Sequence, residues 1–400
     1  MKKGWVYKEL GELCHKFNGL WKGKKAPFVR VGVIRNANFT KAFTLDFSNI
    51  EYLDVEEKQY ASRKLQLGDL IVEKSGGSEK QPVGRAVLFQ EKEGEYSFSN
   101  FTSVLRVKDN HEITPEFLYK YILHVYLRGD TRKMQKATTG IHNIEFDKYL
   151  AIKIPIPPLS EQKEIVEYLD SSFAKIDKLK ENAAKNLEEA KALFQSALKD
   201  ALEPKEGWEE KTLKELTNKI SDGSHNPPTG LSYSKYRMLS SKNVRNDNFS
   251  FDNPRYLSED DFQKENKRTQ LEKGDVLLTI VGAGLGDCCV YNFDDVIVFQ
   301  RSVSVLKPNY DKITSRFLMY SLQFRYDDIR KKSNGAAQKG IYLKQLAAYS
   351  LKLPSIKEQQ SIVSFLDSLN EKVNTLQQNY SRICNECDAL KQAILRQVFE

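Results

Sequence analysis

Much of this 400-residue chain is written twice. Gly4-Trp5 returns as Gly207-Trp208, and Leu10-Gly11-Glu12-Leu13 as Leu213-Lys214-Glu215-Leu216. Gly68-Asp69-Leu70-Ile71 returns as Gly274-Asp275-Val276-Leu277, and Gly140-Ile141 as Gly340-Ile341. Ile113-Thr114 with Phe117-Leu118 returns as Ile313-Thr314 with Phe317-Leu318. Glu161-Gln162, Ile165-Val166 and Leu169-Asp170 return as Glu358-Gln359, Ile362-Val363 and Leu366-Asp367. A repeat this long means one unit duplicated within one chain, and duplicates can sit about a pseudo-twofold axis as dimer subunits do. Such a protein suits a two-sided partner, and duplex DNA is one.

Charge supports that partner. Residues 1–159 carry 26 Lys/Arg against 19 Asp/Glu, and residues 204–355 carry 24 against 19, whereas the segments that follow them are slightly acidic. Basic domains attract phosphate backbones through counterion release. A hydrophobic content of 40% and an aromatic content of 11% provide for packed cores and exclude a disordered chain. No run of 18 apolar residues is present, so no membrane span is expected. Met1–Leu10 lacks the apolar core of a secretory leader. Five cysteines, an odd number, point to free thiols and a cytoplasmic location.

Each copy has two parts. The first mixes short apolar runs with Gly, Asn, Ser and Pro turns. Strands are predicted at 69–72, 86–89 and 103–107, and again at 275–280, 296–299 and 302–306. A helix is predicted near 115–127 and near 315–326. The second part is a long helix, announced by Pro155, Pro157 and Pro158 in one copy and by Pro354 in the other. Ser160 is the expected cap of the first, and Ser355 with Glu358 forms a capping box on the second. Apolar residues three and four apart mark a seam on both helices: Ile165, Leu169, Ile176, Leu179, Leu187 and Phe194, then Leu366, Leu369, Val373, Leu376, Tyr380, Ile383, Leu390 and Ile394. The two seams are expected to bury each other, antiparallel, over helices of about 60 Å. The fold class is therefore α+β: two pseudo-symmetric strand-rich α+β domains (1–159 and 204–355) joined by two long α-helices (160–203 and 356–400) forming an intrachain antiparallel coiled coil.

The stretch Ile154-Pro155-Ile156-Pro157-Pro158-Leu159-Ser160-Glu161-Gln162 and its copy Leu353-Pro354-Ser355-Ile356-Lys357-Glu358-Gln359 resemble the junction motif of type I restriction–modification specificity subunits. Gly4-Trp5, Glu73-Lys74-Ser75-Gly76-Gly77-Ser78 and Asp222-Gly223-Ser224-His225 resemble motifs of the same family, and the likeness runs through the whole chain. It implies a non-catalytic subunit whose two target recognition domains each read one half of a split DNA target. Its helices would serve as ruler and docking surface. Two methyltransferase subunits carrying S-adenosylmethionine would methylate adenine N6, and a motor–nuclease subunit using ATP and Mg would join them for restriction. The second copy departs from Ser-Gly-Gly-Ser, with Val281-Gly282-Ala283-Gly284-Leu285-Gly286 in that place.

The remaining motifs support no chemistry of the chain's own. Asn226-Pro227-Pro228 resembles a methyltransferase base-holding motif, but Thr229 stands where an aromatic should stack on the base. Gly282-x-Gly284-x-Gly286 has the wrong spacing for a dinucleotide site. Asp69 with Glu73 could seed a metal-dependent nuclease, but the second copy has Thr279 in place of Glu73. Cys384 and Cys387 lack the two further ligands that zinc requires. A self-contained methyltransferase or nuclease, or a coiled-coil scaffold without DNA, stays as the alternative. The strongest binding signal is a pair of basic stretches, Arg132, Lys133 and Lys136 before Gly140, and Arg330, Lys331, Lys332 and Lys339 before Gly340. Recurrence in both copies points to phosphate contact. Lys74 and Ser75 are candidates beside them. Base-reading candidates fall in two loops rich in Arg, Lys and Asn: Lys22, Lys24, Lys25, Arg30 and Arg35, then Lys235, Arg237, Lys242, Asn243 and Arg245.

Overall fold

The computed structural model describes residues 4–20, 23, 25–79, 81–138, 141–331 and 340–400. The chain forms two compact units, one of residues 1–183 with 380–400 and one of residues 184–379.

In the first unit, strands Cys14–Asn18, Thr102–Val107, Leu70–Glu73 and Ala86–Leu88 form an antiparallel sheet in that order. Glu51–Glu56, Phe28–Ile34 and Tyr96–Phe98 form a second sheet, whose last pair is parallel. Residues 70–72 of strand Leu70–Glu73 are apolar because both of its faces are covered. Leu70 and Val72 pack with Phe117, Leu118 and Ile122 of the helix Pro115–Arg128, while Ile71 between them packs with Ile34 and Phe98 of the second sheet. Strand side chains alternate between faces, so one strand serves two cores. Thr114 caps the helix, its Oγ1 accepting from the Phe117 N–H, with Pro115 at the first helical position and Gly129 left-handed at the end.

The second unit repeats this plan. Its main sheet runs Thr217–Asp222, Val303–Pro308, Val276–Thr279 and Cys288–Val290. Val276 and Leu278 face Phe317 and Leu318 of helix Ser315–Phe324, and Leu277 faces Phe299 and Leu239 of the second sheet.

The long helices run Leu159–Leu202 and Ile356–Phe399. Within the first unit they are antiparallel: Lys180 reaches Asp388 at 2.6 Å, and Asp177 receives Lys391 at 2.6 Å. Here the chain end closes the domain core. Phe399 meets the rings of Phe117 and Tyr121 edge-on, beside Leu395 and Val398. In the second unit, Phe194, Leu198 and Leu202 share a core with Leu366 and Val373. No helix of the described residues is long and apolar enough to cross a membrane.

Two helix expectations need correction. Ser160 does not cap the first long helix, which already begins at Leu159, so Ser160 lies inside the first turn. The seam also turns. Leu169, Ile176, Leu187, Phe194, Leu366 and Val373 are buried, and Ile165, Leu369, Tyr380, Ile383 and Ile394 half-buried, but Leu179, Leu376 and Leu390 are 57%, 39% and 47% exposed. An α-helix repeats every 3.6 residues, so a straight one rotates a 3.5-residue pattern outward by about 20° per heptad. Lys180 and Lys391 take inward positions instead, their stems half-buried and their ammonium groups on the opposite helix.

The junction motif holds each helix to its domain. The Gln162 side chain, fully buried, accepts from the Thr114 N–H at 2.9 Å and donates to the Glu112 and Pro157 carbonyls, both at 2.9 Å. Gln359 repeats all three bonds with Thr314, Lys312 and Pro354, at 3.1, 2.9 and 3.1 Å. A buried amide has few substitutes here, because one side chain must both accept and donate.

Candidate nucleic-acid interface

Pairing register places several strand ends at one edge of each domain. In the first, Asn18 lies opposite Ser103, Glu73 opposite Thr102 and Ile34 opposite Phe98. The loops that leave from there include 35–38, 74–85 and 99–101. Strands Gln135–Thr138, Ile141–Ile144 and Ser75–Gly77 form a small sheet at the same edge, so the basic stretch and the Ser-Gly-Gly-Ser loop are hydrogen-bonded neighbours. Arg132 Nη1 donates to the Glu79 carbonyl at 2.8 Å, and Asn36 Nδ2 to that of Ser75 at 2.5 Å. The segments that carry Arg35, Lys74, Ser75, Arg132, Lys133 and Lys136 are thus brought to one edge, where Arg35 is ion-paired with Glu51. Partial burial over the Phe146 ring, and then the neighbouring Lys74 charge, push the Lys16 pKa below the ordinary lysine value.

In the second domain Asp222 lies opposite Ser304, Thr279 opposite Val303 and Leu239 opposite Phe299. The Ile341 N–H donates to the Ile280 carbonyl at 2.9 Å, as the Ile144 N–H does to Lys74 at 2.8 Å. The Gly286 N–H donates to Thr279 as the Gly84 N–H does to Glu73. Val281–Gly286 and Ser75–Gly84 are therefore one loop in two lengths, although their residues differ. Arg245 lies 3.8 Å from Asp287. Burial raises the Asp287 pKa, against the pull of Arg245 and Arg330. Lys242 and Lys331 are exposed.

The type I restriction modification DNA specificity domain model matches residues 2–189 and 205–383. The chain belongs to this family. It is 26% identical over 391 residues to the type I restriction enzyme StySPI specificity subunit of Salmonella potsdam, covering 93% of this chain and 81% of that one. It is 26% identical over 436 residues to the EcoKI specificity subunit of Escherichia coli K12, covering 100% and 89%. A chain solved in a study of complex assembly and conformational transition of the type I R-M system superposes with a TM-score of 0.78 at 20% identity. That match covers 100% of this chain and 98% of the other, and it shows the shared fold.

Not every candidate of the two recognition domains reaches these edges. Arg30 lies 3.7 Å from Asp54 in mid-sheet, and the Lys25 N–H donates to Glu56 at the opposite end of strand Phe28–Ile34. Arg237 is ion-paired with Asp295 and lies over the Phe251 ring, and Lys235 lies over Tyr236, both at the start of their strand. Asn243 is not a base reader. It is 5% exposed, its Oδ1 accepts from the Ser240 N–H, and its Nδ2 donates to the Asp252 carbonyl. Asn38 does the same work in the first domain, with the Arg35 N–H and the Asp46 and Asn49 carbonyls. Lys22, Lys24, Lys332 and Lys339 lie outside the described residues.

The carboxylates that hinted at a nuclease are taken up structurally. Asp69 accepts from Arg106 Nε at 2.7 Å and Asp275 from Lys307 at 2.8 Å, each also holding a loop N–H. Glu73 is buried with Arg85 at 3.2 Å. Among the described residues no group of three His, Cys, Asp or Glu is placed to hold a metal ion. Sequence reasoning missed Lys16, Arg268 and Arg301, whose cations join these edges from distant segments.

Proposed function

We propose that this chain is the DNA-recognition subunit of a type I restriction–modification complex, each recognition domain reading one half of a bipartite target. The observation that carries the reading is the pair of equivalent cationic loop edges, one per domain, on a family frame of specificity subunits. Phosphate contacts position such a protein, and loop side chains read base edges. Catalysis belongs to partners: methyltransferase subunits with S-adenosylmethionine acting on adenine N6, and a motor–nuclease subunit with ATP and Mg.

The outward-turned residues support two copies of one partner. Tyr168 and Leu179 of the first unit are 49% and 57% exposed, and Phe365 and Leu376 of the second are 54% and 39% exposed. Each pair is 197 residues apart, the separation of Gln162 from Gln359. Apolar side chains exposed in the same register on both repeats fit two identical docking faces.

The test is to map methylated sites in a host expressing this chain with a type I methyltransferase subunit. A split motif of two fixed half-sites is expected. Methyl transfer by the purified chain with S-adenosylmethionine alone would sink the non-catalytic reading.

A further inference from the structure

A cluster in the second recognition domain has no part in the base-reading loops proposed above. Asp222 ends its strand with 6% exposure. Its Oδ1 accepts from Arg268 Nε at 3.0 Å and from Arg268 Nη2, and its Oδ2 accepts from His225 Nε2 at 2.8 Å. Arg268 Nε also donates to the Asp222 carbonyl at 2.9 Å. The side chains of His225 and Arg268 remain 50% and 47% exposed. The Ser224 carbonyl, next to His225, accepts from the Arg301 N–H at 2.8 Å. The exposed Arg301 side chain makes no hydrogen bond or ion pair among the described residues. One guanidinium and one imidazole thus meet at one buried carboxylate, and the Arg301 backbone is tied to the residue beside that imidazole.

We propose that His225, Arg268 and Arg301 form a clamp for one DNA backbone phosphate, with Asp222 as its positioning residue. This rests on the reading in which the loop edge faces DNA. Asp222 takes Nε–H and one Nη2–H of Arg268, which leaves three of its five N–H groups. It also takes Nε2 of His225, which leaves Nδ1. Donors carried by separate elements suit the several oxygens of a phosphate better than the edge of one base. Geometry separates the domains here. Arg63 Nε donates to the Asn18 carbonyl at 3.0 Å, as Arg268 does to Asp222, but Asn18 brings no carboxylate and position 21 is Trp instead of His. The clamp belongs to the second domain.

The experiment uses the full chain in complex with its methyltransferase, as parent, His225→Ala and Arg301→Ala. Binding is titrated with salt on two duplexes, one carrying the parent motif and one scrambled, and methylated sites are mapped. Each substitution should weaken both duplexes alike, by about five- to tenfold. The salt slope should fall by about one, and the motif should stay unchanged. A motif relaxed at any base overturns the clamp in favour of base reading, and unchanged affinity and slope overturn it outright. Should His225→Ala lower the melting temperature, Arg301→Ala decides the matter. A parent complex with no preferred motif overturns the recognition reading itself, and the clamp with it.

Discussion

In the first recognition domain Lys120 reaches Asp170 of the long helix; in the second, the cation has moved one helical turn. Arg316 stands there opposite Glu116, and Tyr320 opposite Lys120. Arg316 pairs with both Asp247 and Asp367, Tyr320 donates to Asp367 at 2.6 Å, and Asn370 donates to Asp247. This network ties the hairpin Val244–Phe249 to the helix through charge. The first domain ties its equivalent loop differently, with Tyr119 donating to the Phe43 carbonyl at 2.8 Å and Phe43 edge-on to Tyr126. Against this, the bonds from side chain to backbone recur in both domains: Gln162 and Gln359, Asp69 and Asp275, Asn38 and Asn243. A backbone group cannot mutate away, so its side-chain partner is held. Two side chains can change together, so charged pairs drift while the frame stays.

Four measurements would break or sharpen that comparison. The largest effect is expected where no side chain fits. A Cβ on Gly19 would lie 1.9 Å from the Ser99 carbonyl oxygen, and one on Gly223 2.0 Å from that of Phe299. Gly19→Ala and Gly223→Ala should each cost about 4 kcal/mol or more, read by thermal unfolding. Tolerance at one position alone would mean that the frames are not equivalent.

Next comes the charged tie. Arg316→Met strands Asp247 and Asp367, and should cost roughly 3 kcal/mol, as breaking a part-buried network does. Lys120→Met leaves Asp170, 59% exposed, to water, and should cost about 1 kcal/mol or less. Equal losses in denaturant titrations would erase the proposed asymmetry.

Acid should separate the domains further. Burial, then the Arg128 charge, lowers the pKa of His124, which is 2% exposed against Phe399. A folded pKa below the unfolded one leaves stability intact above the ordinary imidazole value of about 6.5 and removes it as pH falls through the folded value. The second domain has Phe324 at this place. Amide exchange at pH 7 and pH 5 should show the first domain loosening, and His124→Phe should abolish that difference.

The smallest effects are on DNA. Lys133→Ala and Lys331→Ala should each lower the salt slope of binding by about one without changing the motif. Arg30→Ala, away from the edge, should leave affinity and slope as they are.

Sequence alone determined the duplication, the apolar strands, the helices near 115–127 and 315–326, and the long helices with their proline junctions. Each is a local pattern, or a pattern set beside its own copy. Strand pairing was not legible: Ile297–Phe299, expected as a strand, lies parallel to Arg237–Leu239, a strand whose three residues carry no period. Tertiary structure decided which way the helices face. A difference of a tenth of a residue per turn is invisible over one heptad, yet it turns Leu179 and Leu390 outward. It also decided which cations share an edge. The segments of Lys74 and Lys136 flank one strand of a three-stranded sheet, and those of His225, Arg268 and Arg301 come together across 76 residues of chain. Asn243, attractive as a base reader in the linear sequence, is consumed by the backbone around it, and burial of that kind is a property of neighbours that no residue announces for itself.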